Sequence, residues 1–403
     1  MRIKLLLALL LCSVITLQTS AQNTWTQKAN LTGIQRAALV AFSIDSVAYV
    51  GLGYNFSQSP SQQTDFWKYS PATDSWTAMT SFPGLGLSGA SAFSIGTKGY
   101  VVGGANSSPA VVSELWEYDA VLNTWTQKTS CPCAGRDYAV AFSINGKGYF
   151  GTGYDASSIN FNDFWEYNPV TDSWLQRADV PGFPRSSAVG FSIGNKGYIG
   201  TGYSGSGVND FWQYDPQSNT WAQKANVGGL GTSDACGFSI GGEGYICTGY
   251  VNVNTSGRVL EYDTLTDTWN TMTTLTGPAR SNSVGFAIGN KGYISCGNDI
   301  SFSPLNDLWE YTPSSIITSA GNQKQSINML SIFPAVASRS ITIYTPVVSN
   351  DSRLAILNLN GQEVMGKIFR NNEAIDVSSL ASGMYFVRIK TSAGNLAGRF
   401  IRE

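Results

Sequence analysis

Short apolar runs separated by glycine-containing turns recur along the first three quarters of the chain. One example is AFSINGKGYFGTGY at residues 141–154, in which Asn145-Gly146 separates an apolar run from an aromatic run that ends in glycines. Versions of this pattern begin at residues 41, 92, 190, 237 and 285. Glycine and asparagine supply the positive backbone angles that two-residue hairpins need. The pattern therefore predicts that each repeat opens with a β-hairpin, formed by strands a and b.

A second stretch follows each hairpin and ends in tryptophan. The clearest copy, NDFWEYNPVTDSW at residues 162–174, alternates apolar and polar positions, which predicts a strand c. Pro169 marks the next turn, because proline sets a turn angle and cannot donate a hydrogen bond within a sheet. The closing tryptophan then lies in a strand d. These tryptophans, 47 to 51 residues apart, are Trp25, Trp76, Trp125, Trp174, Trp221 and Trp269. Such a period is typical of a propeller or a solenoid.

The number of predicted strands indicates how the repeats close. There are six a-b-c sets, and the sixth, which ends at residue 313, has no tryptophan strand after it. One such strand, residues 23–29, stands before the first set. If this strand completes the last sheet, six four-stranded blades close into a ring, and closure removes the exposed edges of an open array. We therefore predict an all-β fold in which residues 22–313 form a six-bladed β-propeller.

The ends of the chain have a different composition. Arg2 and Lys4 precede an apolar run and then small residues, which predicts a signal peptide over residues 1–21. The run is shorter than a typical membrane span, and no later segment reaches that length, so we expect no transmembrane segment. The formal net charge of −2, without a basic cluster, argues against nucleic acid as a partner.

The region after the repeats is expected to contain a linker and a second domain. Residues 314–330 are rich in Ser, Asn and Gln, which predicts a linker. Residues 331–403 alternate in short strands, with a hairpin signal at Asn360-Gly361. This pattern predicts a small, Ig-like β-sandwich.

The repeats resemble a known family. The paired glycines Gly103-Gly104, the variants of GYxGTGY and the spaced aromatic residues of WEYxPxTxxW are similar to kelch repeats over residues 22–313. The resemblance implies a kelch-type β-propeller. Two departures are that most blades have Gly-x-Gly-Tyr instead of a double glycine, and that blade five has Leu260 in place of the strand c tryptophan. Kelch propellers include copper radical oxidases, whose sites use histidines, and sialic acid epimerases.

The last domain resembles the C-terminal sorting domain of type IX secretion cargo. The resemblance is carried by GMYFV at residues 383–387 and by RFIR at residues 399–402. The start of the domain departs from the usual Pro-Asn-Pro, because Phe333-Pro334 is followed by Ala335-Val336. The resemblance implies that residues 331–403 engage the type IX secretion machinery and that the protein reaches the cell surface or the extracellular space.

The absence of histidine removes several kinds of chemistry. The chain contains no histidine, so Ser-His-Asp and Cys-His catalysis and histidine-bound zinc, copper or iron are excluded. The glycines of GYIGTGY lack the lysine of a phosphate-binding loop and are interpreted as strand ends. Of the five cysteines after the signal peptide, Cys131 and Cys133 could bind a soft metal or oxidise, or be incidental. We expect no catalytic residue, no metal and no cofactor.

Aligning the repeats reveals a pattern of charge. Four of the six repeats have an arginine before strand a, and five have a carboxylate before strand c. In an up-and-down meander the d-a and b-c connections emerge at the same end of the ring, so both sets are expected at one mouth. The candidate ligand-binding residues are Arg36, Arg136, Arg185, Arg280, Asp163, Asp210 and Asp307.

Two interpretations of these charges are open. Each arginine could pair with a carboxylate of its own or the adjacent blade and set the register. Blade five favours this interpretation, because Thr232 replaces the arginine where Arg258 replaces the acid. Alternatively, some guanidinium groups could be free to bind a carboxylate or sulfate of an acidic sugar.

The loops between strands b and c suggest a binding surface. They are rich in Ser, Asn and Gly, and the tyrosines at the strand ends beside them are Tyr54, Tyr154, Tyr203 and Tyr250. Aromatic rings beside amides and hydroxyls can stack on sugars or dock peptides, although polar loops on a rigid scaffold also tolerate variation. We therefore predict an exported binding protein, not an enzyme, whose propeller face recognises an extracellular glycan or protein. The alternative is a sugar-active kelch enzyme such as a sialic acid epimerase, in which Asp or Glu would move a proton.

Overall fold

The computed structural model describes residues 23–108, 110–252, 254–264, 266–313, 331–333, 336–344, 353–358, 363–369, 374–391 and 394–403. The predicted signal peptide, the predicted linker and the hairpin signal at Asn360-Gly361 lie outside these residues. Contacts between residues divide the chain into two compact units, one of residues 21–314 and one that contains residues 315–403. Within the part that the structure describes, no helix has the length and apolarity needed to cross a membrane.

The first unit consists of six four-stranded antiparallel sheets, which are the blades. Strand β1 is Thr24–Lys28, and blade one contains β2 (Val40–Ile44), β3 (Val47–Gly51), β4 (Phe66–Ser70) and β5 (Ser75–Met79). Blade two contains β7 (Ser91–Ile95), β8 (Lys98–Val102), β10 (Leu115–Asp119) and β11 (Thr124–Lys128), and the short strands β6 (Leu87–Ser88) and β9 (Ala105–Asn106) pair beside it. Blade three contains β12 (Val140–Ile144), β13 (Lys147–Gly151), β14 (Phe164–Asn168) and β15 (Ser173–Arg177).

The other three blades follow the same order. Blade four contains β16 (Val189–Ile193), β17 (Lys196–Gly200), β18 (Phe211–Asp215) and β19 (Thr220–Lys224). Blade five contains β21 (Cys236–Ile240), β22 (Glu243–Cys247), β25 (Val259–Asp263) and β26 (Thr268–Thr271), with a small sheet of β20 (Thr232–Ser233), β23 (Tyr250–Val251) and β24 (Asn254–Thr255) beside it. Blade six contains β27 (Val284–Ile288), β28 (Lys291–Ser295) and β29 (Leu308–Thr312), completed by β1.

The ring closes as the sequence predicts. Strand β1 pairs antiparallel with β29, which places Trp25 opposite Tyr311 and Gln27 opposite Trp309. The first strand of every blade contacts the first strands of both neighbouring blades, including β2 with β27. These strands line a central channel. The prediction of an all-β, six-bladed propeller is confirmed.

Hydrogen bonds from the second half of the repeat join neighbouring blades and explain why the same spacing of residues recurs from repeat to repeat. In blade four the Trp221 indole donates to the Ala178 carbonyl of blade three at 2.9 Å. Asn219 accepts the Ala178 N–H at 3.0 Å and the Tyr214 hydroxyl at 2.8 Å. Asn219 has a φ of 54°, a conformation that Asp and Asn tolerate better than most residues. The same arrangement joins blades one, two, three and five to their preceding blades.

The second unit is a two-sheet β-sandwich. One sheet contains β30 (Ser331–Phe333), β32 (Ser340–Tyr344) and β35 (Ala374–Asp376). The other contains β31 (Val336–Ala337), β37 (Gly394–Arg402), β36 (Gly383–Thr391), β33 (Arg353–Leu357) and β34 (Glu363–Ile368). Ile341 of the first sheet and Leu354, Val387 and Phe400 of the second share one apolar core. The predicted sandwich is therefore confirmed.

Candidate binding site at the channel mouth

The four candidate arginines lie before the first strand of their blades, and each pairs with a carboxylate of its own blade. Arg185 in blade four is representative and is 0% exposed. Its Nη1 and Nη2 donate to the two oxygens of Asp210, and Nη1 also donates to the Thr201 carbonyl at 3.2 Å. Its Nε donates to the Phe183 carbonyl at 3.1 Å. The equivalent pairs are Arg36 with Asp65, Arg136 with Asp163 and Arg280 with Asp307.

The strand c tryptophan completes each of these pairs. In blade four the Trp212 indole donates to Asp210 Oδ2 at 2.8 Å. Burial acts to raise the pKa of Asp210, but the hydrogen bonds from Arg185 and Trp212 outweigh it and hold that pKa below its usual value. The same balance lowers the pKa of Asp65. We call this three-residue unit, arginine, carboxylate and tryptophan, the Arg–Asp–Trp clamp.

The clamps correspond to the first of the two interpretations of the charge pattern. In four blades the guanidinium nitrogens donate to acceptors within the same blade, and the d-a and b-c connections are thereby tied together. A buried, paired guanidinium is a structural cross-link rather than an open anion site. Ligand contact by Arg36, Arg136, Arg185, Arg280, Asp163, Asp210 and Asp307 stays a prediction.

Blades two and five depart from the clamp in different ways. Blade two has Leu87 at the arginine position, and Glu114 accepts a hydrogen bond from the Trp116 indole at 2.9 Å. In blade five the arginine precedes strand c and its hydroxyl acceptor precedes strand a, which is the reverse of the order in a clamp. There Arg258 Nη2 donates to the Thr232 hydroxyl at 2.6 Å, and Nη1 donates to the Gly228 carbonyl at 2.8 Å. Of the six arginines in the described part of the propeller, Arg258 alone forms no ion pair.

Two residues after each clamp position, a ring of six residues surrounds the channel mouth. Their backbones are all left-handed, with φ between 48° and 62°. Each N–H donates to the carbonyl of its equivalent in the preceding blade, at 2.8 to 3.1 Å, and the sixth bond closes the circle. The ring members are Ala38, Gly89, Tyr138, Ser187, Asp234 and Asn282. Because the backbone is used in closing the ring, the side chains of these positions are free to differ, and they line a mouth of about 180 Å³.

Two carboxyl groups near this ring have no cationic partner among the described ion pairs. Asp137 is 5% exposed, and its Oδ1 has no hydrogen-bond partner among the described residues. Burial raises the pKa of Asp137 to about 7, although hydrogen bonds from its own backbone and Tyr154 oppose the shift. Burial also raises the pKa of Asp234, whose Oδ2 accepts the Ser233 hydroxyl at 2.9 Å. Both groups lack the guanidinium that keeps Asp210 ionised.

Tyrosines surround these carboxyls. The ring of Tyr138 stacks on that of Tyr154, with centroids 5.9 Å apart and an interplanar angle of 8°. The Tyr54 hydroxyl accepts a hydrogen bond from Asn298 at 2.9 Å. Tyr203 and Tyr250 line a cavity of about 540 Å³ between blades four and five, together with Ser233 and Asp234. The four strand-end tyrosines selected from the sequence are thus at the channel mouth or next to it.

The rim outside this mouth carries large exposed apolar side chains. In the b-c loops, Phe56 is 80% exposed and Phe302 is 71% exposed. In the d-a loops, Phe183 is 69% exposed. The other exposed apolar rim residues are Ile34, Leu85, Ile159, Leu230 and Ile300. Exposed apolar side chains concentrated at one end of a scaffold are typical of an interaction surface.

Sequence reasoning selected the charged clamps and missed Asp137, Tyr138 and Asp234. The clamp arginines stood out because they recur, whereas the mouth residues differ from blade to blade. A usable signal was present: the two residues after the clamp-arginine position are small or polar in most repeats, but they include an acidic residue, Asp137 or Asp234, in blades three and five. The burial that raises their pKa values depends on the closed ring and is visible only in the structure.

The described cysteines are found as one disulfide and three buried thiols. Cys131 and Cys133 are joined in a disulfide, which is one of the outcomes left open from the sequence. Cys236, Cys247 and Cys296 are buried free thiols. Across the described residues, no group of three or more Cys, Asp or Glu side chains is arranged to hold a metal ion.

Comparisons with known proteins agree with this architecture. The model of the KLHDC2/KLHL20/DRC7 Kelch-repeats domain matches residues 36–240, about half of the chain. The model of the secretion system C-terminal sorting domain matches residues 331–403. No curated protein matches the chain.

Among solved structures, one described as "Structure of YjhT" is similar, with a TM-score of 0.62 and 18% sequence identity. The match covers 71% of this chain and 97% of that one. At this identity the likeness concerns the fold alone. The chain therefore belongs to the kelch-repeat family and carries a type IX secretion C-terminal sorting domain, which implies export.

Proposed function

We propose that the protein is an exported binding protein that recognises an extracellular glycan with the channel mouth, without catalysis. The observation that carries this proposal is the cavity of about 540 Å³ lined by Tyr203, Tyr250 and Asp234. Tyrosine rings offer flat apolar faces to a sugar ring, while hydroxyl and carboxyl groups accept hydrogen bonds from sugar hydroxyls. The cavity lies on loops held by a rigid, closed ring, so little ordering is needed when a ligand binds.

The sorting domain and the predicted signal peptide support a proposal for the location of the protein. The sorting domain supports delivery through the type IX machinery, and the predicted signal peptide would start that route at the inner membrane. We propose that the propeller is displayed at the cell surface or released from it. There its partner would be an extracellular glycan, or a protein that docks on the apolar rim.

A glycan array tests the proposal directly. The full chain is compared with a Tyr203→Ala/Tyr250→Ala double variant. The control is Leu122→Ala/Val170→Ala, which removes exposed apolar side chains from the turns between strands c and d. We expect array signals that disappear in the tyrosine variant and persist in the control. An array without signals would contradict glycan recognition. It would leave a protein partner that docks on the rim, which substitutions of the exposed Phe56 and Phe302 would test.

A sugar-active enzyme is a second candidate because of Asp137. Its carboxyl has a pKa raised to about 7 by burial, a value suited to proton transfer near neutral pH, and it lies beside Tyr154. The wild-type and Asp137→Asn proteins can be incubated with sialic acid anomers, and the anomer ratio can be followed by proton NMR. Faster interconversion that depends on Asp137 would support the enzyme and contradict binding without catalysis.

A further inference from the structure

The charges at the channel mouth are unbalanced. The clamp arginines form ion pairs with Asp65, Asp163, Asp210 and Asp307. The one arginine of the described propeller without an ion pair, Arg258, donates to Gly228 and Thr232. Asp137 and Asp234, in contrast, have no cationic partner among the described ion pairs. Two carboxyls and one guanidinium at this mouth are thus without an ion partner, so the surplus charge is negative and disfavours an acidic sugar.

Desolvation disfavours the ionised form of these two carboxyls when no cation is near them. A buried carboxylate without a cation has lost hydration that its neighbours do not replace. At Asp137 the unpartnered oxygen shows this deficit directly. At Asp234 the Ser233 hydroxyl donates to one oxygen. A cationic group that entered the mouth would supply the missing charge and donor, and it would stabilise the ionised carboxylate.

The rings around Asp234 also favour a cation. Tyr203 and Tyr250 line the same cavity as Asp234, and Tyr203 is 47% exposed. The face of an aromatic ring attracts an ammonium group through its quadrupole, and the attraction grows when the group is partly desolvated. Asp234 already accepts the Ser233 hydroxyl at Oδ2 and is also hydrogen-bonded by the Ser187 side chain, so a compact ammonium, which needs a single acceptor position, fits better than a guanidinium, which binds best to two oxygens.

We propose that the cavity between blades four and five binds a primary ammonium group, with Asp234 as its counter-ion and Tyr203 and Tyr250 as its aromatic walls. This inference rests on the proposed function, because it assumes that the mouth is the binding face. The ammonium group can come from an amino sugar or from a lysine side chain. The carboxylate of Asp234 in the lining disfavours an acidic sugar in this cavity.

The test uses calorimetric titration of the full chain with matched probes. A tetramer of glucosamine is compared with a tetramer of N-acetylglucosamine, which has the same rings without the charge, and with tetralysine, which has the charge without sugars. We expect at least one ammonium probe to bind at least tenfold more tightly than the acetylated tetramer. The glucosamine and tetralysine results identify the source of the ammonium group.

Two isosteric variants locate the effect. Asp234→Asn should weaken binding of the ammonium probe at least tenfold. Asp45→Asn, which removes the same charge from an exposed turn between strands a and b, should leave binding unchanged. Equal affinity for the charged and acetylated tetramers, or full affinity in Asp234→Asn, would overturn the inference. In either case the proposed function would stand if the Tyr203→Ala/Tyr250→Ala variant still lost its glycan-array signals. If that variant kept its signals, both the inference and the proposed function would be overturned.

Discussion

Asp210 and Asp234 lie at the same end of the propeller in adjacent blades, yet they have opposite properties. Asp210 accepts two hydrogen bonds from Arg185 and one from Trp212, and its pKa is lowered. Asp234 has the Ser233 hydroxyl and no guanidinium, and burial raises its pKa. Burial penalises the charge of both groups, so the presence of the cation decides the difference. The paired carboxylate stabilises the fold, and the unpaired one is the group that we propose binds a ligand.

Blade five shows what the clamp contributes. It has lost all three clamp residues, with Thr232, Arg258 and Leu260 in their places, and it borders the larger cavity at the mouth. Its neighbour, blade four, retains the full clamp and supplies Tyr203 to the same cavity. Of the two repeats that depart from the clamp, blades two and five, blade five is the one that borders the candidate site.

The largest expected effect is the loss of a clamp. Arg185→Ala would leave the partly buried Asp210 without its cation, and breaking such a pair costs up to about 3–5 kcal/mol of unfolding free energy. Denaturation followed by tryptophan fluorescence measures it, because all 11 tryptophans lie between Trp25 and Trp309 in the propeller. Arg258→Ala, which breaks no ion pair, is the control. A similar loss in both variants would contradict the distinction between paired and unpaired arginines.

The second effect concerns the exchanged residues of blade five. Thr232→Arg would crowd a second guanidinium against Arg258, and we expect a loss of roughly 1–3 kcal/mol, as for overpacked sites. Adding Arg258→Asp supplies the carboxylate of a clamp and should restore most of this stability. The double-mutant cycle measures the coupling. Additive losses in the two single variants would show that blade five cannot accommodate a clamp.

The third effect is a pH dependence of stability at the unpaired carboxyl of Asp137. Its sign is opposite to that expected for a paired carboxylate such as Asp210. The pKa of Asp137 is raised from 3.8 to about 7, so the folded state binds more protons than the unfolded state between these values. This group's contribution to stability therefore falls as pH rises through that window. Asp137→Asn removes the contribution. We expect its midpoint to exceed that of the wild type at pH 8 by about 2–4 °C, the shift that ~1 kcal/mol produces in a domain of this size.

Thermal unfolding between pH 4 and pH 8 checks this prediction. At the acidic end the two proteins should coincide, because the wild-type carboxyl is then protonated in the folded state. Asp45→Asn, at an exposed turn, serves as the control and should follow the wild type throughout. A constant offset across the whole range would assign the effect to packing rather than to protonation.

The smallest expected effect is the loss of the indole donor in a clamp. Trp212→Phe removes one hydrogen bond to Asp210, which costs about 1 kcal/mol. The folded pKa of Asp210 would rise towards its usual value, because one of the donors that lower it is gone. Its stabilising contribution, present at higher pH, would therefore be lost at a less acidic pH than in the wild type. Identical acid denaturation of the two proteins would show that Arg185 alone holds the carboxylate ionised.

Much of the fold was predictable from repetition. The hairpin dipeptide Asn145-Gly146 adopts φ values of 50° and 75°, as a two-residue hairpin requires. The unpaired strand at residues 23–29 and the incomplete sixth set predicted closure, and β1 pairs with β29. These features depend on local backbone preference and on the number of equivalent units, and both can be read directly from the amino-acid sequence.

The candidate site was less predictable, because its members come from different blades and share no motif. The sequence placed arginines and carboxylates at one mouth, but it could not say which carboxyl had a partner. Asp163 receives Arg136 from the same blade, whereas Asp137, the residue next to Arg136, receives no cation. Only the folded positions of the side chains separate the two.

The amino-acid sequence by itself determined the number of blades, the strand order and the closure of the ring, since each follows from a repeated local pattern. The tertiary structure alone decided that the arginines are buried in clamps and that Asp137 and Asp234 are desolvated without a cation. The reason is physical: strand formation depends on neighbours along the chain, whereas burial and ion pairing depend on distances between residues that folding brings together.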